Sequence, residues 1–244
     1  MPNTYFQFKQ FRIEQVQSGM KVTTDGCLFG GWVAAEIQKT IEPGRILDIG
    51  AGTGLLSLML AQVTEKTKIT ALEINEAACK EAKHNFQHSP WKERLQCKHT
   101  SLQNFDTGKY DLIICNPPFF KGSQEGANTN KNQAVHSSSL DAEELLDHVI
   151  RLLDPNGSLY LLYPEREMET FKQMALTKGL YPIHQVIVRN QKDCSVFRLM
   201  NHFRLQEARE SMTELIIRSS NRKYTKESWN LLKDYYLEYN NPHM

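Results

Sequence analysis

The stretch RILDIGAGTGLLSLMLAQ, residues 45–62, decides how the chain folds. Arg45–Ile49 is a short apolar run, typical of a strand that is buried on both faces of a parallel sheet. Three glycines follow at once, and LLSLMLAQ after them predicts a helix. A strand, a glycine-rich turn and a helix in direct succession indicate a site where a ligand can approach the backbone and meet the free amides of a helix N-terminus.

Apolar runs of strand length alternate with helical segments along the rest of the chain. Strands are predicted at Arg45–Ile49, 69–74, 95–100, Tyr110–Cys115 and 158–163. YPIHQVIVRN and SVFRLMNHFRL, separated by QKDC, predict an antiparallel hairpin; ELIIRS could add one more strand, and SWNLLKDYYLEY predicts a closing helix. This alternation predicts an α/β fold, a Rossmann-like doubly wound and mostly parallel seven-stranded sheet with an antiparallel C-terminal hairpin.

Composition narrows the class of protein. Hydrophobic residues make up 40% and charged residues 23%, and no apolar run approaches the length of a membrane span. The five cysteines are never paired as C-x-x-C, which favours reduced thiols in a cytoplasm over a disulfide framework or a metal cluster. The net charge is +1, but residues from Lys178 onward hold 11 Lys/Arg against 7 Asp/Glu. That excess favours either a solvated face or contact with a polyanion.

The spacing of the glycines discriminates between ligands. Gly50, Gly52 and Gly54 form G-x-G-x-G, which differs from the G-x-G-x-x-G of dinucleotide sites, and no G-K-[ST] follows. Glu73 lies 19 residues after Gly54, near the end of the second strand. A carboxylate there can accept hydrogen bonds from two ribose hydroxyls of an adenosine-bearing cofactor; the alternative is a strand-end acid that faces solvent.

The fourth strand of the predicted sheet ends unusually, as YDLIICNPPFF over residues 110–120. Two prolines stiffen the backbone after Asn116, so the side-chain oxygen of Asn116 and the carbonyl of Pro117 are held as two acceptors at the carboxyl end of a strand. Phe119 offers a flat face beside them. Two acceptors and a ring suit an exocyclic amine on a planar group, which positioning and electrostatic stabilisation can turn into a nucleophile.

DIGAGTG at 48–54, followed by NPPF, resembles the class I S-adenosylmethionine-dependent methyltransferases that act on amino groups. The resemblance implies S-adenosylmethionine as cofactor, with no metal, and contacts from Asp48, Gly50, Gly52, Gly54, Glu73 and Asn116. After the third strand these enzymes commonly have an acid that contacts the cofactor adenine. Here Ser101 stands at that position, and its hydroxyl can still form a hydrogen bond.

The segment that precedes the glycine loop, MKVTTDGCLFGGW at 20–32, resembles that of the bacterial tRNA1(Val) (adenine(37)-N6)-methyltransferase family. The resemblance implies that Lys21 and Thr24 contact the methionine end of the cofactor. NPPFF followed by AVH at 134–136, and the closing ELIIRSSNRKYTKESWNLLKDYYL, also resemble that family. The residues expected to bind tRNA are Phe119, Phe120, Lys121, Arg218, Arg222 and Lys223.

The family resemblance implies one methyltransferase domain over residues 1–244. We expect residues 1–43 to cover cofactor and substrate, 44–205 to form the catalytic core and 206–244 to add a strand and a helix. The expected activity is methylation of adenine N6 in tRNA, without an obligate protein partner or a membrane. The alternatives are a methyltransferase acting on ribosomal RNA, DNA or protein glutamine, a dinucleotide-dependent oxidoreductase, and a non-catalytic RNA-binding module.

Overall fold

Strands and helices alternate along the chain as the sequence predicts. The computed structural model describes residues 3–19, 21–117 and 141–237. Its strands are β1 (Tyr5–Gln7), β2 (Arg12–Glu14), β3 (Arg45–Ile49), β4 (Lys68–Glu73), β5 (Leu95–His99), β6 (Tyr110–Cys115), β7 (Leu153–Tyr163), β8 (Tyr181–Arg189), β9 (Val196–Arg204) and β10 (Ser211–Ile216). Its α-helices are α1 (Thr24–Ile37), α2 (Leu55–Gln62), α3 (Glu76–Gln87), α4 (Ala142–Leu152), α5 (Glu165–Thr177) and α6 (Lys226–Leu232).

One large sheet has the strand order β10-β8-β9-β7-β6-β3-β4-β5, and β1 and β2 form a separate antiparallel pair. Strand β9 is antiparallel to both of its neighbours, β7 and β8, while the other adjacent pairs are parallel. The predicted doubly wound sheet with an antiparallel hairpin is therefore confirmed. The sheet has eight strands rather than seven, because β10 pairs in parallel with β8 at one edge.

Helices cover both faces of this sheet. Alternate residues of a strand point to opposite faces. Ile46 and Ile114 accordingly pack in one apolar cluster with α1, α2, α3 and α6, whereas Leu47 and Ile113 pack in a second cluster with α4 and α5. Such two-sided burial explains why the central strands are continuously apolar. None of the described helices is both long and apolar enough to cross a membrane.

The chain reverses its direction of travel across the sheet between β3 and β6. From β3 it moves outward through β4 to β5, and it then returns to place β6 on the other side of β3. Ligands of open α/β sheets bind in the crevice at this switch point, beyond the carboxyl ends of the strands. The topology therefore indicates that the ligand site is formed by the residues that follow β3, β4 and β6.

Several elements depart from their predicted bounds; β10, for example, begins at Ser211, three residues before the predicted ELIIRS. Residues 154–157, DPNG, are typical of a turn, but β7 begins directly after α4 at Leu153 instead of at residue 158. Tyr110 pairs with Leu153 and Leu112 with Ser158, so the turn residues are absorbed as an irregularity inside the strand. Helix α6 ends at Leu232, short of the predicted end of the closing helix.

The early end of α6 has a packing cause. Tyr235 and Tyr236 are turned into the core, with 3% and 5% of their surface exposed. The Tyr235 hydroxyl donates to the Met59 carbonyl oxygen at 3.2 Å, and the Tyr236 ring lies 5.6 Å from that of Phe6. The free energy gained by burying two large aromatic side chains exceeds that of one further helical turn.

Close packing of α1 against α6 predicts that Gly31→Ala destabilises the protein. A Cβ at Gly31 would lie 2.3 Å from the Leu231 carbonyl oxygen, which is backbone and cannot rotate away. We expect a loss of about 1–3 kcal/mol in the free energy of unfolding, measured by urea denaturation. Gly44→Ala is the matched control, because its Cβ would meet only a side-chain oxygen of Asp111 at 3.4 Å. Equal stability of the two variants would contradict the proposed packing.

Candidate active site

The glycine loop joins β3 to α2 in a conformation that depends on its glycines. Gly50, Gly52 and Gly54 have φ angles of 71°, 54° and 81°, in the left-handed region that side chains disfavour. The amides of Gly50 and Ala51 donate to the Leu72 carbonyl oxygen at 2.9 and 3.0 Å, which fastens the loop to the end of β4. A Cβ at Gly54 would lie 2.4 Å from the Phe86 ring, so Gly54 also permits close approach of α3.

Asp48 is fully buried beneath this loop. Its Oδ2 accepts hydrogen bonds from the Ser57 amide at 3.1 Å and the Ser57 hydroxyl at 2.7 Å. Its Oδ1 has no hydrogen-bond partner among the residues that the structure describes. Burial raises the pKa of Asp48 from 3.8 to about 6, although the bonds from Ser57 act in the opposite direction.

Glu73, at the end of β4, connects the loop to the start of α3. Its Oε2 accepts from the Gly52 amide and its Oε1 from the Asn75 amide, each at 2.8 Å. The Asn75 side chain caps α3 by accepting from the Ala78 amide at 3.0 Å. Each carboxylate oxygen of Glu73 retains a second lone pair for a ligand.

Asn116 follows β6 directly, and Pro117 after it is buried. The Asn116 Oδ1 is buried and has no hydrogen-bond partner within residues 3–19, 21–117 and 141–237. Its Nδ2 lies against Gly26 of α1, 3.8 Å from where a Cβ on that glycine would be. A buried acceptor without a donor carries a free-energy cost, which a hydrogen bond from a ligand in the cavity would relieve.

These groups surround one cavity of about 930 Å³ at the carboxyl ends of β3, β4 and β6. Of the residues predicted for the site, Lys21, Gly50, Gly52, Glu73, Ser101, Asn116 and Pro117 line it. Ligand cavities typically measure roughly 300–1,000 Å³, so the volume is at the upper end of that range. The structure thus brings together residues from five separate stretches of the chain.

Other predicted residues lie elsewhere. Asp48 and Gly54 support the loop from beneath and are not part of the cavity wall, and Thr24 is absent from it as well. The wall residue of that segment is Thr23, whose side chain accepts from the Gly26 amide and caps α1. A threonine directly before a helix is a capping pattern, so the sequence held a signal for the cap but none for Thr23 as a wall residue.

Several wall residues were not predicted from sequence as site residues. They are Ser18, Thr23, Asn75, Leu102, Gln103, Asp141 and Glu144, among others. The sequence shows no acid beside NPPF. Nevertheless, Asp141 and Glu144 at the start of α4 line the cavity. Glu144 accepts a hydrogen bond there from the Gln103 side-chain Nε2 at 2.9 Å. The sequence does place acids in the first turn of this helix. That pattern indicates where a helix begins and does not predict a ligand site.

The remaining predicted residues fall into two groups. Phe119, Phe120, Lys121 and the AVH run at 134–136 lie outside the described residues. Arg218, Arg222 and Lys223 lie in the turn after β10, at the same carboxyl edge of the sheet as Asn116 but away from the cavity. Arg218 donates to the Arg222 carbonyl oxygen at 2.8 Å and its guanidinium lies 4.3 Å from the Tyr224 ring, while Arg222 and Lys223 are exposed.

Solved structures share this fold. A predicted O-methyltransferase from Agrobacterium tumefaciens aligns with a TM-score of 0.64 at 14% identity, over 86% of this chain and 95% of that one. A predicted class I S-adenosylmethionine-dependent methyltransferase from Listeria monocytogenes aligns with a TM-score of 0.58 at 14% identity, over 82% of this chain and 67% of that one. At such identities the likeness bears on the fold, and fold and site together define a class I methyltransferase.

Sequence relatives define the family more narrowly. The profile of the Methyltransferase small domain family matches residues 32–191. A tRNA1(Val) (adenine(37)-N6)-methyltransferase of Cytophaga hutchinsonii is 40% identical over 97% of this chain and 99% of its own length, and one of Vibrio cholerae is 37% identical over 97% and 96%. The chain belongs to the tRNA1(Val) (adenine(37)-N6)-methyltransferase family. It is an enzyme, and its methyl donor is S-adenosylmethionine.

The buried Asp48 predicts a pH-dependent effect of Asp48→Asn on stability. An acid whose pKa is higher in the folded chain binds its proton preferentially when folded, so stability falls as the pH rises from about 4 to about 6. Above pH 6 the ionised Asp48 costs on the order of 2–3 kcal/mol, which Asn avoids while it still accepts from Ser57. Without ligand, we expect Asp48→Asn to melt higher than the wild type at pH 8, with the difference disappearing near pH 4.

Differential scanning fluorimetry across pH 4–8 measures this effect. The control is Asp193→Asn, which removes an exposed carboxylate in the loop between β8 and β9. Its melting temperature relative to the wild type should change little with pH. A difference between Asp48→Asn and the wild type that is constant from pH 4 to pH 8 would contradict a raised pKa at Asp48.

Proposed function

We propose that the protein transfers a methyl group from S-adenosylmethionine to the N6 amine of an adenine in tRNA, namely adenine 37 of tRNA1(Val). The observation that carries the proposal is the buried Oδ1 of Asn116 at the cavity, which has no hydrogen-bond partner among the described residues. The names of the relatives supply the nucleotide and the tRNA. The geometry supplies an acceptor for an amine.

The residues of the cavity suit an adenosine-bearing sulfonium cofactor. The glycines of the loop have no side chains that would keep a ligand from the backbone. The Glu73 carboxylate could accept hydrogen bonds from ribose hydroxyls, and the Ser101 hydroxyl could form one with the adenine. Lys21 and Thr23 also line the cavity, and Thr23 and Asn116 both lie close to Gly26. In this proposal Asp48 and Gly54 act by holding the loop in place. When bound, S-adenosylmethionine supplies an electrophilic methyl group on a positively charged sulfur.

Asn116 would act on the amine rather than on the methyl donor. The N6 lone pair of adenine is delocalised into the ring, so the amine is a poor nucleophile. Hydrogen bonds from the amine to the Asn116 Oδ1 and the Pro117 carbonyl oxygen would favour a pyramidal nitrogen and stabilise its developing positive charge. Asn116 and Pro117 would thereby orient the nitrogen lone pair toward the methyl group that bound S-adenosylmethionine would supply. S-adenosylhomocysteine would be the leaving group, and the surplus proton on nitrogen would leave to water. Phe119 remains predicted to hold the base by stacking.

The charge distribution supports a large anionic substrate. Arg222 and Lys223 lie at the carboxyl edge of the sheet, four strands away from β6. Four spacings of about 4.8 Å place the turn after β10 roughly 19 Å from Asn116 across the sheet. That distance exceeds the size of one nucleoside but suits a backbone phosphate of a longer RNA whose target base enters the cavity. We therefore assign Arg222 and Lys223 to phosphate contact, with Arg218 holding their turn.

The proposed reaction predicts N6-methyladenosine at position 37 of an unmodified tRNA1(Val) transcript incubated with the protein and S-adenosylmethionine. Mass spectrometry of the digested nucleosides measures the product, and a transcript with guanine at position 37 should stay unmethylated. Asn116→Ala should lower kcat by about 10²–10³-fold, because it removes the acceptor that stabilises the transition state. Binding of S-adenosylhomocysteine by that variant should change much less.

The matched control for Asn116→Ala is Asn156→Ala, which truncates an exposed asparagine in β7. It should retain wild-type activity. Formation of N2-methylguanosine in place of N6-methyladenosine would replace the adenine assignment with one of the other amino substrates. Full activity of Asn116→Ala would overturn the mechanism.

Phosphate contact by the turn after β10 predicts a change in salt dependence. The double variant Arg222→Gln/Lys223→Gln should raise the KM for tRNA and flatten the plot of log affinity against log salt by about one unit of slope per lost phosphate contact. Filter binding across 50–300 mM KCl measures the slope. Lys66→Gln/Lys68→Gln, which removes two exposed lysines at the opposite edge of the sheet, should leave the slope unchanged. Equal slopes in both double variants would argue against the assignment.

A further inference from the structure

A short segment before α1, residues 14–18, ends at the cavity and is held by side chains of α3; we name it the strap. Ser18 at its end lines the cavity, as do Gly19 and Lys21 just beyond it. The Ser18 Oγ lies 3.5 Å from where a Cβ on Gly52 would be, so the strap rests on the glycine loop. The position of the strap therefore sets the position of one cavity wall.

One carboxylate holds most of the strap. Glu81 of α3 has 7% of its surface exposed, and its Oε1 accepts from the amides of Val16 at 2.6 Å and Gln17 at 2.8 Å. Its Oε2 accepts from the Ser18 amide at 2.8 Å. Hydrogen bonds to an ionised acceptor are about twice as strong as neutral ones. Three successive amides on one buried carboxylate fix the backbone of the strap.

A second side chain of α3 links the strap to the glycine loop. Asn85, one turn after Glu81 and almost fully buried, accepts from the Glu14 amide at 2.9 Å and donates to the Glu14 carbonyl oxygen at 3.0 Å. It also donates to the Thr53 carbonyl oxygen at 2.9 Å. Strap and loop are thus held at a fixed separation by a single helix face.

We propose that Glu81 is a positioning residue for cofactor binding, acting through the strap. Glu81 is not part of the wall of the large cavity, so its effect on a ligand there passes through the backbone of residues 16–18. Ordering a wall before the ligand arrives removes an entropic cost from binding. Loss of the carboxylate frees the strap, and the ligand must then order it. The inference rests on the cofactor cavity proposed above, and not on the identity of the RNA.

Glu81→Gln tests this role with little change in shape. An amide retains one acceptor oxygen and places an NH2 group against at least one backbone N–H, where it cannot accept. We expect S-adenosylhomocysteine to bind Glu81→Gln about tenfold more weakly in calorimetry, with kcat at saturating cofactor and the KM for tRNA within about twofold of the wild type. Glu93→Gln, which neutralises an exposed glutamate in the turn before β5, is the matched control.

The outcomes separate this inference from the proposed function. A wild type that binds S-adenosylhomocysteine no better than buffer controls would overturn both. Equal affinity in Glu81→Gln and Glu93→Gln would overturn the positioning role alone, as would a loss of kcat without a loss of cofactor affinity.

A second measurement serves if Glu81→Gln does not fold. Hydrogen exchange of the wild type reports on the amides of Val16, Gln17 and Ser18 directly. Saturating S-adenosylhomocysteine should slow their exchange, because opening of the strap opens the cavity. Exchange at these three amides that is unchanged by the ligand would overturn the proposal.

Discussion

Parallel pairing of β3 with β4 on one side and with β6 on the other is the constraint on which the site depends. In this register Ile49 lies beside Leu72 and Cys115, so the three strands end at the same level. The residues that follow these three strands therefore lie close together at one edge of the sheet. The glycine loop, the acid that ends β4 and Asn116 converge for that reason, and their convergence needs no further interaction between them.

Buried polar groups around the site fall into two kinds. Glu81 is satisfied by amide donors, since it accepts from the amides of Val16, Gln17 and Ser18. Asp48 and Asn116 each keep one buried oxygen without a partner among the described residues. Saturated groups fix backbone, whereas unsatisfied acceptors carry a free-energy cost that a ligand can relieve. Of the two unsatisfied groups, Asn116 lines the cavity and is proposed to act on substrate, whereas Asp48 is not part of the cavity wall and supports the glycine loop.

Residues near the two ends of the chain pack against each other on one side of the same core. Phe6 and Phe8 pack against Tyr236, and the Lys9 amide donates to the Tyr235 carbonyl oxygen at 2.7 Å. This contact anchors the β1–β2 pair on the helical face that carries α1, α2 and α3. The strap begins at the end of β2, where Asn85 holds Glu14, and Glu81 holds its inner residues from Val16 to Ser18.

The sequence by itself determined the order of strands and helices, the glycine loop and the chemistry offered by Asn116. Each of these follows from local sterics, from short-range periodicity or from the donors and acceptors of one side chain. Only the tertiary structure decided that Thr23 rather than Thr24 lines the cavity, that β10 extends the sheet, and that Tyr235 and Tyr236 end α6. It also decided that Glu81 binds amides about 65 positions away. Such contacts depend on where a helix face comes to rest against a distant segment, and residue spacing along the chain does not contain that information.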